Sequence, residues 1–231
     1  MALIDLKETP VREANELIRE YGAVGEDVEI VSPDARHHLG VGLTEEISVR
    51  IRGSAGYFCA GLTDAAHFEV ESNVGWGLGD NMYSGSVVVG GNASAIAGVA
   101  IRGAEIVIRG NMGSRAGQVM KAGTLLCGGN ANFMAGYLMY GGRIIILGNT
   151  GPNLGDSMYD GTIFVGGTIK SLGSDAVKSK LTTLDIGWLK RKLKVAEIGS
   201  NFDVSKMTKI VAGKKLWNYD QLEPTEKKGA I

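Results

Sequence analysis

The sequence predicts an all-β solenoid, a parallel β-helix, and three observations carry that prediction. Glycine or serine recurs every 19 residues, at Gly53, Ser72, Gly91, Gly110, Gly129, Gly148 and Gly167. One residue later Asn73, Asn92, Asn111, Asn130 and Asn149 form a second column, closed at its ends by Ser54 and Thr168. Seven residues after each opener a third column reads Ala60, Gly79, Gly98, Gly117, Gly136, Gly155 and Ser174. A strict period without insertions is what stacked coils produce, because each coil contacts only its neighbours. About seven 19-residue coils are expected between Ile47 and Gly173, with short helical extensions on either side.

Composition agrees with one sizeable domain: 44% of the 231 residues are hydrophobic, enough for a continuous core. Thirty-five glycines against four prolines, with no Gly-X-Y period, exclude collagen and favour a turn-rich β architecture. A net charge of −1 argues against general attraction to nucleic acid or an anionic membrane. The charge is uneven, with eight acids and three bases in residues 1–30, and twelve bases and six acids from Val177 to Ile231. Two cysteines cannot build a disulfide framework, and the opening MALIDLKETP lacks the pattern of a signal peptide, so the cytoplasm is the expected compartment. No apolar run approaches the roughly 18 residues that span a bilayer.

Residues 1–46 read as a lead-in. Thr9-Pro10 starts a helix whose residues Val11, Ala14, Leu17, Ile18 and Tyr21 share a face, with Gly22 just past its end. EDVEIVSP reads as a strand ending at Pro33. In residues 47–175 two columns spaced by two are uniformly apolar: Val49, Phe68, Val87, Ile106, Leu125, Ile144, Ile163, and Ile51, Val70, Val89, Ile108, Cys127, Ile146, Val165. That spacing puts both on the inner face of one strand per coil. A second short strand is suggested at Met82, Ile101, Met120, Met139 and Met158. Seven coils at about 4.8 Å make a rod on the order of 30 Å long. The asparagines are expected in left-handed corners, each bonded to the asparagine of the next coil in a structural ladder; an amide-lined binding strip is the functional alternative.

Between the two inward columns lies one that must point outward. It reads Arg50, Glu69, Val88, Val107, Leu126, Ile145, Phe164, charged at first and then apolar for five coils. A stripe of that size does not stay wet. Either the chain's own downstream helix covers it, which the sequence favours, or Val88, Val107, Leu126, Ile145 and Phe164 form an interface with another subunit. In residues 176–231 Leu181, Leu184, Trp188, Leu189 and Leu193 have helical spacing among lysines, and this basic extension is expected to cap the last coil, bind a partner, or both. EPTEKKGAI reads as a flexible or partner-bound tail.

No catalytic, cofactor-binding or metal-binding residues are expected in this chain. Gly110-x-x-Gly113-x-x-x-Gly117 and its copy at Gly148 lack both the Lys-Ser/Thr and the strand–helix context of phosphate loops. His37, His38, His67 and Cys59 include no pair with zinc spacing. Asp80, Asp156 and Asp160 are the obvious acids on the solenoid corners, but Asp80 and Asp156 share a column four coils apart, too distant for a carboxylate pair.

The repeated Gly-x-x-Gly-x-x-x-Gly, with GSAGYFCAG, GNMGSRAGQVMKAGT and LGNTGPNLGDSMYDG, resembles the GXGXG C-terminal domain of the glutamate synthase large subunit from Gly22 to Gly173. The resemblance implies a right-handed β-helix that holds other domains in place without catalysing. Ala2 follows Met1, so the N-terminal cysteine nucleophile of amidotransferases is missing, as are an FMN barrel and a cysteine cluster. The organisation is most similar to the stand-alone β-helix subunit of N-methylglutamate synthase, the methylamine–glutamate N-methyltransferase. By that resemblance the chain works in a hetero-oligomer with a class II glutaminase-type subunit and an FMN-binding synthase subunit. FMN and an iron–sulfur cluster would sit in a partner. Alternatives are a split glutamate synthase, the β-helix subunit of a formylmethanofuran dehydrogenase, and a self-standing structural or binding solenoid.

Overall fold

The structure, a computed structural model, describes residues 1–215; the expectation for the tail EPTEKKGAI lies outside them. Its elements run in order β1 (Ala2–Asp5), α1 (Val11–Ala23), β2 (Val28–Val31), β3 (Ser48–Ile51), β4 (His67–Val70), β5 (Ser86–Val89), β6 (Glu105–Ile108), β7 (Thr124–Cys127), β8 (Arg143–Ile146), β9 (Thr162–Val165), β10 (Ala176–Ser179), α2 (Thr183–Val195), a 3-10 turn (Val204–Lys206) and β11 (Thr208–Ala212). All eleven strands form one sheet, parallel from β1 to β9. From β3 onward the register pairs equivalent residues: Val49 faces Phe68, which faces Val87, and so on to Ile163. The two inward columns are buried without exception, as the alternation of a pleated strand requires.

The solenoid is longer than the 19-residue repeat. β1 and β2 extend the same parallel sheet upstream, so the boundary drawn at residue 46 is not an edge of the sheet. α1 is inserted between those two strands. It runs one residue past Gly22, and Pro10 is its N-cap rather than its first helical residue. Ala14 and Ile18 are buried, and Val11, Leu17 and Tyr21 pack against the core, so the helix closes the first coils with the face its spacing predicts. At the other end β11 pairs antiparallel with β9, and β10 with β11. This pair, not the helix, covers the last parallel edge.

The second strand lies elsewhere than expected. Single parallel bridges join Ala55, Val74, Ala93, Met112, Ala131, Thr150 and Ile169, two residues after each opener. Met82, Ile101, Met120, Met139 and Met158 are fully buried but not in strands, because the residue before each is left-handed and turns the chain. The corner has up to three left-handed residues at alternate positions, as at Arg115, Gly117 and Val119. Gly117 shows why the third column is glycine: φ is +69°, and a Cβ would stand 2.5 Å from Ile144 Cδ1. The openers are glycine for another reason. At Gly110 a Cβ would meet Asn92 Oδ1 at 2.5 Å, so coils stack closely only without it.

Candidate functional site

The asparagine column forms a ladder, but not from left-handed corners: none of the five has a positive φ. Each side-chain oxygen accepts from the backbone N–H one coil on, at 2.8 Å from Asn73 to Asn92 and from Asn111 to Asn130, and at 2.7 Å from Asn130 to Asn149. Asn149 Oδ1 accepts from Thr168 N at 2.8 Å. Side chain meets side chain only at Asn92 Nδ2 to Asn73 Oδ1 and Asn111 Nδ2 to Asn92 Oδ1, both 3.1 Å. The amide oxygen therefore does the stacking, while the exposed NH₂ groups edge a shallow groove along Asn111, Asn130 and Asn149. Thr150, beneath that groove, has a buried hydroxyl oxygen without a hydrogen-bond partner.

The apolar outward column is covered by the chain itself. Val107, Leu126, Ile145 and Phe164 are buried and Val88 is half-buried, under Leu189, Leu193, Val204 and Met207. These five residues do not form an open docking face. Three contacts fix α2, the first within the helix and the others to β11 and β6. Thr182 and Asp185 make a reciprocal capping box at the start of α2. Lys209 Nζ binds Asp185 Oδ2 at 2.9 Å, and Lys192 binds Glu105. Burial alone would raise the Asp185 carboxyl, but Lys209 and Thr182 hold it below its ordinary 3.8. The helical face differs from the expected one at Leu184, which points away and is 83% exposed.

Chemistry-capable side chains are dispersed. Among the described residues no three of His, Cys, Asp and Glu converge on a metal site. Asp80 bonds Asn81 Nδ2 at 2.6 Å, its carboxyl raised by burial against that bond. Asp156 accepts from Ser157 Oγ and from Ser174 N. Asp160 is exposed. His67 Nδ1 lies 2.8 Å from Ser86 Oγ on the outer sheet, whereas Cys59 is buried. Burial pushes the Cys59 thiol up to about 12 and the Cys127 thiol to about 11, so both remain protonated near neutrality. Two buried thiols on different coils do not fit an iron–sulfur cluster.

What the surface does offer is aromatic. Tyr57 stacks on Trp76 at 5.7 Å between centroids and on His37 at 4.3 Å, with Tyr57 N–H donating to His37 Nδ1. Seven residues after Trp76 a second column begins, Tyr83, Arg102, Lys121, Tyr140 and Tyr159. Arg102 lies over Tyr83, Lys121 over Tyr140, and Tyr140 stacks on Tyr159 at 4.5 Å. Sequence reasoning missed both columns although they keep the 19-residue register, because their residue types change from coil to coil while the glycines and asparagines stay the same. No helix among the described residues is long and apolar enough to cross a membrane.

Known proteins share this architecture. A chain of the formyltransferase/hydrolase complex FhcABCD from Methylorubrum extorquens, solved with methylofuran, superposes with a TM-score of 0.65 at 22% identity, covering 86% of this chain and 85% of that one. At that identity the likeness speaks for the fold. Protein GlxC of Rhizobium meliloti (strain 1021) is 36% identical over 91 residues, 38% of this chain and 40% of GlxC, so less than half of that relative is matched. The GXGXG motif model matches residues 28–223, most of the chain and all the solenoid coils from β2 onward; the protein belongs to the GXGXG motif family.

Proposed function

We propose that this chain is a non-catalytic assembly subunit of a multi-subunit, FMN-dependent, glutamate-synthase-like amidotransferase complex working in the cytoplasm. Within that class the reading is N-methylglutamate synthase, which makes N-methylglutamate from glutamate and methylamine. The observation that carries it is how the family columns are used. Glycines are taken up by corners and close stacking, and asparagine oxygens by the ladder, while the large aromatic side chains Tyr57, Trp76 and Tyr83 stay exposed. Those residue types favour protein contact. The class II glutaminase-type and FMN-binding synthase partners follow from the resemblance to the glutamate synthase domain. By the same resemblance FMN and an iron–sulfur cluster would sit in a partner; two buried cysteines do not supply the thiolates of such a cluster.

The test is co-expression with the neighbouring genes and purification through this chain. A yellow complex forming N-methylglutamate from glutamate and methylamine is expected, and the isolated chain should be colourless and inactive. A complex carrying tungsten or molybdenum would assign the chain to a formylmethanofuran dehydrogenase instead. A complex that forms glutamate but not N-methylglutamate would assign it to a split glutamate synthase.

A further inference from the structure

The cations of this molecule differ in what holds them. On and around the sheet they are paired with acids: Arg50 with Glu69 at 2.8 Å, Arg52 with Glu29, Lys192 with Glu105, and Lys209 with Asp185. Arg102, Lys121 and Arg143 lie instead on aromatic rings. Arg102 Cζ is 5.0 Å from the Tyr83 centroid, Lys121 Nζ is 3.6 Å from that of Tyr140, and Arg143 Cζ is 4.7 Å from that of Trp188. Among the described residues none of the three, nor Arg191, has a carboxylate within ion-pair distance.

Their placement is not neutral. Arg102 and Lys121 hold the same position on adjacent coils, so their backbones are about 4.8 Å apart, with Arg102 leaning back over Tyr83 and Lys121 forward over Tyr140. The rings beneath fix both side chains, which lowers the entropy lost when an anion binds. Arg143 follows Tyr140 by three residues, and with Arg191 it lines a cavity of ≈ 240 Å³ whose apolar walls are Leu184 and Trp188. The acid at that cavity, Asp185, is already engaged by Lys209 and Thr182.

Resting on the assembly reading above, we infer that this face docks an acidic segment of a partner subunit. Carboxylates of the segment meet Arg102, Lys121, Arg143 and Arg191, and an apolar side chain enters the cavity between Leu184 and Trp188. Three coil steps separate Arg102 from Tyr159, about 14 Å, which an extended segment of four or five residues covers.

The test uses the co-expressed complex. The variant Lys121→Glu/Arg143→Glu is compared with Lys170→Glu, a reversal at an exposed lysine outside the face. Lys121→Gln/Arg143→Gln is a milder companion, and circular dichroism melts establish that each is folded. At low salt the double reversal should lower the affinity for the rest of the complex at least tenfold, the Gln pair by less, and Lys170→Glu not measurably. Raising salt should weaken the wild type more than the double reversal. Carbodiimide, which joins lysine to carboxylate without a spacer, should link Lys121 to an acidic stretch of the partner. Full assembly by the double reversal overturns the inference and leaves the assembly reading standing. So does a face that retains nucleic acid while assembly is unaffected by the variants. Failure of the wild type to form any complex overturns both.

Discussion

One outward column of the sheet meets two fates. At its start Arg50 and Glu69 pair across neighbouring strands at 2.8 Å and stay in water. From Val107 to Phe164 the same position is apolar and buried beneath α2 and the segment after it. The pleat sets only the direction of a side chain. Whether that direction is wet or dry is decided by another part of the chain, joined to the solenoid by Lys192 to Glu105 and by Arg109 Nη1 to Glu197 O at 3.0 Å.

Substitution can break this contrast. The largest effect is expected for Ile145→Asp, which places a charge between sheet and helix. Urea denaturation should show a loss of about 3–5 kcal/mol or failure to fold, whereas Arg50→Ala, on the wet end, should cost no more than about 1 kcal/mol. Leu126→Ala leaves a cavity in the same dry region and should cost about 2–5 kcal/mol by the same measurement. Equal losses at Leu126 and Arg50 would mean that the cover does not hold the stripe dry.

A smaller effect concerns the ladder. Asn111→Ala removes the acceptor of Asn130 N–H and should cost about 0.5–1.5 kcal/mol, while Asn111→Asp keeps that acceptor and should cost less. If Asp were as damaging as Ala, the amide NH₂ would matter more than its oxygen.

The smallest effects follow from titration. Asp185 is held below its ordinary 3.8, so its contribution is present above that value and lost as pH falls through the lower folded one. Melting followed by tryptophan fluorescence, with Trp188 on α2 as reporter, should show acid destabilisation that Lys209→Met reduces. The thiols work in the opposite direction. Their pKa values are raised, so stability is full below 9.0 and declines as pH rises through about 11 and about 12. Native Cys59 and Cys127 should resist alkylation at pH 8 and react on unfolding.

Legibility differed by element. The two inward columns and the amphipathic face of α1 were readable, because burial there is imposed by the coil's own period. The second strand was misread, since buried methionines look like strand residues although a left-handed neighbour bends the chain before them. β1 escaped notice because four residues outside the repeat carry no period to read. The corners were legible at their glycines, such as Gly98 and Gly117, but not at the residues beside them: Ile96 and Val119 are left-handed, φ 54° and 48°, in a region β-branched residues avoid. The aromatic columns were in register and open to a column-by-column reading.

The sequence by itself determined the period, the direction of each side chain on the main strand, and the columns that stack, because these depend on spacing within one coil. Only the tertiary structure decided which outward residues are dry, where the sheet begins, and that asparagine oxygens bond the next coil's backbone N–H throughout and its side chain only at Asn73 and Asn92. It alone also brought Trp188 onto Arg143. Such contacts join residues far apart in the chain, where burial depends on the shape of the covering segment and not on any local period.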